Sequence, residues 1–161
     1  MAMFDAFLKL DGIKGESVDS KHKDEIQLES WSWGMTNAGT GQYGSGSGAG
    51  KVQVQDVQLV KKVDSSSPIL IKSCTKGDHI KTGVLTVRKA GGDQLEYFTV
   101  ELTEILVSGI SEHTDPSSPI LMEHVSLNFR TFKVTYTPQT DKGAAGASVD
   151  FGYNLAEGKV L

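Results

Sequence analysis

The chain has a single cysteine, Cys74, among its 161 residues. One cysteine cannot form an intramolecular disulfide, and it excludes metal sites built from several cysteines. The longest apolar runs, such as residues 69–71 and 105–107, are too short to cross a membrane, and the first residues lack the basic segment of a signal peptide. We therefore expect a protein that folds in the cytoplasm and whose export, if any, needs no signal peptide.

Basic residues are too few for binding nucleic acid. Lys and Arg number 16 against 20 Asp and Glu, a net charge of −4, and no block of five or more positive residues occurs. Because a phosphate backbone requires a basic face, neither a nucleic acid nor a membrane is expected as a partner. The length and the 38% of hydrophobic residues favour one domain over residues 1–161 with a packed core.

Residue sets that would form a catalytic or metal site are also missing. The four histidines (His22, His79, His113 and His124) show no i, i+4 spacing or ligand-rich surroundings. No G-x-S-x-G motif occurs, and the G-x-G-x-x-G match at residues 39–44 opens no helix, so it does not indicate a dinucleotide site. We predict a protein that is not an enzyme, with no catalytic residue, metal or cofactor.

What the sequence does contain is a series of β-strand patterns. Residues 4–10 and 147–155 alternate apolar and polar side chains, as strands do. A change of face recurs in four other segments: within residues 25–35 and across Asp56, Glu104 and Arg130. Bent strands shared by two sheets, as in a closed or nearly closed barrel, would produce such changes; burial of both strand faces in an assembly would also produce them.

One helix is predicted over residues 68–76. Ser67 suits the N-cap, and Pro68 is tolerated in the first turn because its missing N–H would be unpaired there. Gly77 suits the position after the helix. Leu70 and Cys74 are four residues apart and share a face, so we expect Cys74 to be a small buried side chain and not a nucleophile. A helix this short could plug one end of a barrel.

Glycine is unusually frequent, at 18 of 161 residues. Residues 91–93, Gly-Gly-Asp, predict a tight hairpin turn. Residues 36–50 predict a long loop with six glycines and with Tyr43 near its tip. A structureless insertion of this length is typically functional or disordered, so a contact loop and an ordinary surface loop both remain open.

Several motifs resemble one family. Lys-Gly-Glu-Ser at residues 14–17, then Asp19 and His22, then Trp-Ser-Trp-Gly at 31–34 resemble the opening motif of the Hcp proteins, the hemolysin-coregulated proteins of the bacterial type VI secretion system. The likeness continues in order over nearly the whole chain: through the Gly-rich loop, residues 52–62, 64–77, 88–92, 96–97, 102–108 and 127–129. Dispersed motifs in the same order make the resemblance specific.

The resemblance implies a mainly β fold: a small β-barrel formed by two packed sheets, with one short helix and a long Gly-rich loop. It implies that copies of the chain assemble into a six-membered ring, that rings stack into the inner tube of a contractile machine, and that the lumen carries effector proteins. Further implied partners are the spike, sheath and baseplate. The protein would begin in the bacterial cytoplasm and be secreted through the machine. The chain ends at Leu161, so a plain tube subunit is expected and not a toxin fusion.

The same resemblance guides the choice of site residues. Ring or stacking contacts are expected from the loop residues Gly39, Gly41, Gln42, Tyr43, Gly44 and Gly46. Trp31 and Trp33 share one strand face and are expected in the core, which turns Ser30 and Ser32 towards the lumen or a neighbouring subunit. Gly15, Asp19 and His22 are expected to hold the loop before the second strand.

Two other kinds of function stay open. One is a monomeric β-barrel that binds a sugar or another small ligand, for which a concave aromatic platform would be the sign. The chain has only two tryptophans, both expected to be buried. The other is a phage tail-tube protein, which would share the fold and the ring.

Overall fold

The structure is a computed structural model that describes residues 3–38, 51–92 and 94–161. In these ranges the chain forms twelve β-strands and one α-helix. In the first half lie β1 (Phe4–Leu10), β2 (Ile26–Leu28), β3 (Ser30–Ser32), β4 (Met35–Asn37), β5 (Val52–Val54), β6 (Val57–Lys62) and α1 (Ser67–Lys76). In the second half lie β7 (His79–Lys89), β8 (Glu96–Thr114), β9 (Leu121–Asn128), β10 (Thr131–Tyr136), β11 (Val149–Asn154) and β12 (Lys159–Val160).

Ten of these strands form one antiparallel sheet, and β4 pairs with β5 in a separate ribbon. The main path runs β12-β11-β10-β8-β7-β1-β2, and a branch from β8 runs through β9 and β6 to β3. The mainly β class with one short helix is confirmed. The strand ladder of the described residues is not a closed barrel, because the pairing partner changes at Glu29: β2 pairs with β1, whereas β3 pairs with β6.

The long strand β8 belongs to both parts of the sheet. Its first half pairs with β7 and β10, and its second half pairs with β9. Glu104, at the junction, has a positive φ of 49°, which few side chains adopt. Arg130 lies between β9 and β10 and donates its backbone N–H to Thr103 O at 2.9 Å. The strand bends predicted at Glu104 and Arg130 are therefore confirmed, and they let both halves of the sheet enclose one core.

The core is a single cluster of buried apolar side chains. Its members come from both parts of the sheet and from the helix, and include Ala6, Leu59, Leu70, Leu102 and Leu127. Burial of this apolar surface is the main favourable term in folding. The hairpin predicted at residues 91–93 is confirmed in its described part, where Gly91 and Gly92 both have positive φ between β7 and β8; Asp93 lies outside the described residues.

The helix begins one residue earlier than predicted. Ser66 is its N-cap and Ser67 its first residue, because the Ser67 hydroxyl is engaged with Glu123 instead of capping the helix. Gly77 ends the helix in the left-handed conformation, as predicted, and donates its N–H to Ser73 O at 2.9 Å. Cys74 packs against the core but is only half-buried, so the expectation of a buried cysteine was wrong.

Candidate assembly surfaces

The segment between β1 and β2 is held to the outer face of the sheet by Arg88 on β7. This arginine is only 3% exposed. Its Nη1 donates to Asp19 Oδ1 at 3.0 Å and its Nε to Asp5 Oδ2 at 3.3 Å, and its guanidinium carbon lies 4.9 Å from the centre of the Phe7 ring. The hydrogen bonds from Arg88 lower the pKa of Asp19 to about 2. Two carboxylates thus share one buried cation.

His22 lies beside this arrangement, on the same side of β1. Its ring stacks on Phe7 with centroids 4.4 Å apart. Its Nδ1 is 3.0 Å from Glu25 Oε1, and its Nε2 is 2.6 Å from Glu96 Oε1 at the start of β8. The structure thus places the predicted structural residues Asp19 and His22 in one polar network that ties the segment to β1, β7 and β8.

Gly15 is the point where this segment passes closest to β2. A side-chain Cβ at residue 15 would stand 2.6 Å from the backbone O of Glu25 and 2.7 Å from the Cα of Ile26. Those backbone atoms cannot move aside without distorting β2. The close approach lets the Gly15 N–H donate to Asp24 O at 2.8 Å. A glycine is therefore required at this position.

The Trp-Ser-Trp segment lies at the rim of the core. Trp31 stacks on Phe98 with centroids 5.9 Å apart, and Trp33 packs edge-on against Phe132 at 5.0 Å. Both tryptophans pack against the core cluster, as expected, but they do so from its edge and are half-buried instead of fully buried. Ser30 and Ser32 are exposed.

The contact-loop residues predicted from sequence cannot be placed on this surface. Gly39, Gly41, Gln42, Tyr43, Gly44 and Gly46 lie outside the described residues. The segment that contains them joins the paired strands β4 and β5, in which Met35 faces Val54. The predicted loop, residues 36–50, therefore begins inside β4.

The side of β8 that faces the core continues onto β10 and β11, where its apolar side chains become progressively more exposed. In one row, Val100 is fully buried, Val134 is half-buried and Phe151 is 47% exposed. The next row ends in Tyr136 and Val149, which are 51% and 69% exposed. We call Tyr136, Val149 and Phe151 the β10–β11 apolar face. Contiguous exposed apolar patches are a common feature of protein–protein contact sites.

An aromatic groove adjoins this face. It has a volume of about 590 Å³ and is lined by Phe4, Ser30, Trp31, Val87, Tyr97 and Phe98. Phe98 pairs across the strands with Tyr136, so the groove and the β10–β11 apolar face form one continuous surface. Ser30 stands at its polar edge.

Several contacts across strands escaped sequence reasoning. Lys61 and Glu123 form a fully buried ion pair, and the rings of His113 and His124 lie 4.8 Å apart on β8 and β9. Within the described ranges, no group of three or more His, Cys, Asp or Glu is placed to hold a metal ion. No helix in the described part of the chain is long and apolar enough to cross a membrane.

Comparison with known proteins points to one family. The model of the family described as "Type VI secretion system effector, Hcp" matches residues 7–136. A protein from Pseudomonas aeruginosa named hcp1 is 49% identical over 155 residues, which cover 95% of this chain and 96% of that protein. The crystal structure of Hcp1 from Salmonella typhimurium is 35% identical with a TM-score of 0.83, covering 99% of this chain and 100% of that chain. Another solved structure, of a type six secretion system protein, is 27% identical with a TM-score of 0.92 and covers 98% and 99% of the two chains.

Proposed function

This chain belongs to the Hcp family of the type VI secretion system, and on that basis we propose that it is a tube subunit. Residues 1–161 act as one domain. Six copies close into a ring, rings stack into the inner tube, and the ring lumen carries effector proteins. The tube works with the spike, sheath and baseplate, and the subunit itself leaves the bacterial cytoplasm through the machine. The role is structural, with no catalytic step and no cofactor.

The observation that supports self-assembly is the β10–β11 apolar face. Phe151 and Tyr136 lie in register with side chains of the core, yet about half of each is exposed in the single chain. A second copy that covers this face would complete the burial that β8 begins. If the covering surface lies elsewhere on the neighbouring copy, the contact is head-to-tail, and such contacts close into a ring when the rotation permits.

The proposed function is tested by the mass of the intact chain in solution. Light scattering behind size-exclusion chromatography should give a mass near six times 17.3 kDa, and electron micrographs of that fraction should show a central hole. A mass of one chain at high concentration would contradict a ring that forms without other components. The aromatic groove would then favour the small-ligand alternative. A phage tail-tube protein would give the same mass, but the family match favours secretion.

The Gly-rich loop is proposed to make ring or stacking contacts. Glycine allows close backbone approach, and a single aromatic such as Tyr43 can supply an anchor. We expect deletion of residues 41–48 to abolish stacking of rings into tubes, or ring formation itself, in electron micrographs. The control is deletion of residues 116–117, in the exposed turn between β8 and β9 and away from β10 and β11. Unchanged rings and tubes after deletion of residues 41–48 would show that the loop makes no assembly contact.

Ser32 is proposed to face the lumen. A lumen that holds varied effectors needs small polar side chains, and a bulky amide would obstruct it. We expect Ser32→Gln to reduce the amount of effector that co-purifies with the ring several-fold while the ring mass stays unchanged. Loss of the ring would instead place Ser32 at a subunit contact. If the ring mass and the amount of co-purified effector both stayed unchanged, neither role would hold. Ser117→Gln, in the exposed turn between β8 and β9, is the matched control.

A further inference from the structure

Three ionisable side chains form one row across three neighbouring strands. Lys61 on β6 is directly opposite Glu123 on β9, and Glu123 is directly opposite Glu112 on β8. Lys61 and Glu123 are both 0% exposed, whereas Glu112 reaches the surface. The row therefore runs from the protein interior to solvent.

One oxygen of the buried carboxylate is fully occupied. Glu123 Oε2 accepts hydrogen bonds from Lys61 Nζ at 2.5 Å and from the Ser67 hydroxyl at 2.8 Å. Lys61 Nζ in turn lies 3.0 Å from Asp64 Oδ1. These contacts tie β6, β9 and the first residue of α1 together. Lys61 thus already forms ion pairs with two carboxylates, those of Glu123 and Asp64, and Glu112 would be a third.

The other oxygen, Glu123 Oε1, is buried and has no hydrogen-bond partner in the described chain. A buried acceptor without a donor is costly, and native proteins seldom leave one. An ionised Glu112 cannot help, because a carboxylate has no hydrogen to donate. Two like charges directly opposite each other on neighbouring strands are also destabilising.

We propose that Glu112 is protonated in the folded chain and donates its carboxyl O–H to Glu123 Oε1, so that the two carboxyl groups form a proton-binding site. The bound proton supplies the missing donor and removes one of two facing negative charges. It also joins the second half of β8 to the ion pair beneath α1. The inference rests on the chain's own contacts and is independent of the proposed tube function.

The charges around Glu112 support this protonation state. Partial burial of its carboxyl group raises the pKa of Glu112 first, and the proposed hydrogen bond to Glu123 and the negative charge of Glu123 raise it further, to about 7, against a smaller opposing effect of Lys61. Burial also acts to raise the pKa of Glu123, but the proposed hydrogen bond with Glu112 and the hydrogen bonds from Lys61 and Ser67 outweigh it, and the pKa is lowered. The neighbouring elements contribute Lys61 and Asp64 as charges, and α1 contributes the uncharged Ser67.

The site makes stability depend on pH near neutrality. The ordinary pKa of Glu112, which applies in the unfolded chain, is 4.5, and the folded value is about 7. Below the lower value both states hold the proton, and the full stabilisation is present. Between the two values only the folded chain holds it, so stability falls as pH rises and the contribution is lost above the higher value.

Infrared spectroscopy of the intact wild-type chain tests the proton directly. The band of protonated carboxyl groups should lose the intensity of one group per chain between about pH 5.5 and about pH 8, because ordinary carboxyls are already ionised in this range. Glu112→Gln should abolish that loss. Glu101→Gln, an exposed position on the same strand, should leave it unchanged.

Thermal unfolding at fixed protein concentration gives the second readout. The glutamine amide can donate to Glu123 Oε1 at every pH, so Glu112→Gln should unfold about 2–4 °C above the wild type near pH 8 and match it near pH 4, below the pKa of the unfolded chain. Absence of any wild-type carboxyl titrating near neutrality would overturn the proposal without a variant. An unchanged infrared loss in Glu112→Gln would equally overturn it.

Discussion

Replacing Arg88 by alanine is expected to lower the free energy of unfolding by about 3–5 kcal/mol, the cost typical of removing one partner from a buried ion pair. The substitution leaves Asp5 and Asp19 facing each other without a cation, and it uncovers Phe7. Denaturant unfolding measures the change. Lys89→Ala is the matched control, since that side chain is exposed and donates a single hydrogen bond, to Gln139, within the described part of the chain; the substitution should change stability by about 0.5 kcal/mol or less.

The effect of Arg88→Ala should also depend on pH. The hydrogen bonds from Arg88 lower the pKa of Asp19 from 3.8 to about 2 in the folded chain. A carboxyl group whose pKa is lowered by folding stabilises the fold at pH values above its pKa in the unfolded chain. This stabilisation is lost as the pH falls through the pKa in the folded chain. The gap between wild type and variant should therefore narrow as pH falls from about 4 towards about 2. An equal cost for Arg88→Ala and Lys89→Ala would mean that the segment before β2 is anchored without the arginine.

Placing a carboxylate on the β10–β11 apolar face should break the assembly. Phe151→Glu would place a charge in an interface core, where an unpaired carboxylate is strongly unfavourable. We expect a loss of about 2–4 kcal/mol at every subunit contact, as for a central interface residue. The light-scattering mass should fall from that of the assembled ring towards the 17.3 kDa of a single chain. The circular dichroism spectrum should stay unchanged, because this side chain is 47% exposed in the single chain.

Asp150 provides the control for this experiment. It neighbours Phe151 in sequence, points to the opposite side of β11 and forms an ion pair of 3.8 Å with Lys133. Asp150→Asn should keep the full assembled mass. If Phe151→Glu also kept it, the β10–β11 apolar face would not be a subunit interface, and the contacts would have to lie elsewhere.

Strand positions were predictable because alternation is a local property of the sequence. β1 occupies residues 4–10 as predicted, and the break across Asp56 separates β5 from β6. The change of face near Glu104 corresponds to a backbone bend with positive φ. Whether the ladder closes into a barrel could not be predicted, because that depends on which strands pair at Glu29 and not on alternation.

Whether the apolar side of β11 is buried or exposed could not be predicted either. Residues 147–155 have the cleanest alternation in the sequence, yet Val149 and Phe151 are exposed while Gly152 and Asn154 are buried. Alternation separates the two sides of a strand, but it does not say what covers each side. In the single chain the core ends before it reaches this part of β11.

The buried charges left a local signal that sequence reasoning did not use. Lys61 follows Val57 and Leu59 at a spacing of two, and Glu123 precedes Val125 at the same spacing. A charged residue on the apolar side of a strand indicates a buried ion pair. Its partner could not have been named, because the register between β6 and β9 is set by residues distant in sequence.

The pairing of β1 with β7 has a consequence for the order of folding. Phe4 is aligned with Lys89 and Leu10 with Gly83, so β1 cannot complete its pairing with β7 until all of α1 and β7 have been synthesised. Pairing across such a distance is slow, since closing the long intervening loop costs conformational entropy before the contact stabilises the chain. Until then, the one other strand paired with β1 among the described residues is the three-residue strand β2, which leaves the apolar side of β1 largely uncovered. We expect nascent chains that end before residue 89 to be protease-sensitive and dependent on chaperones.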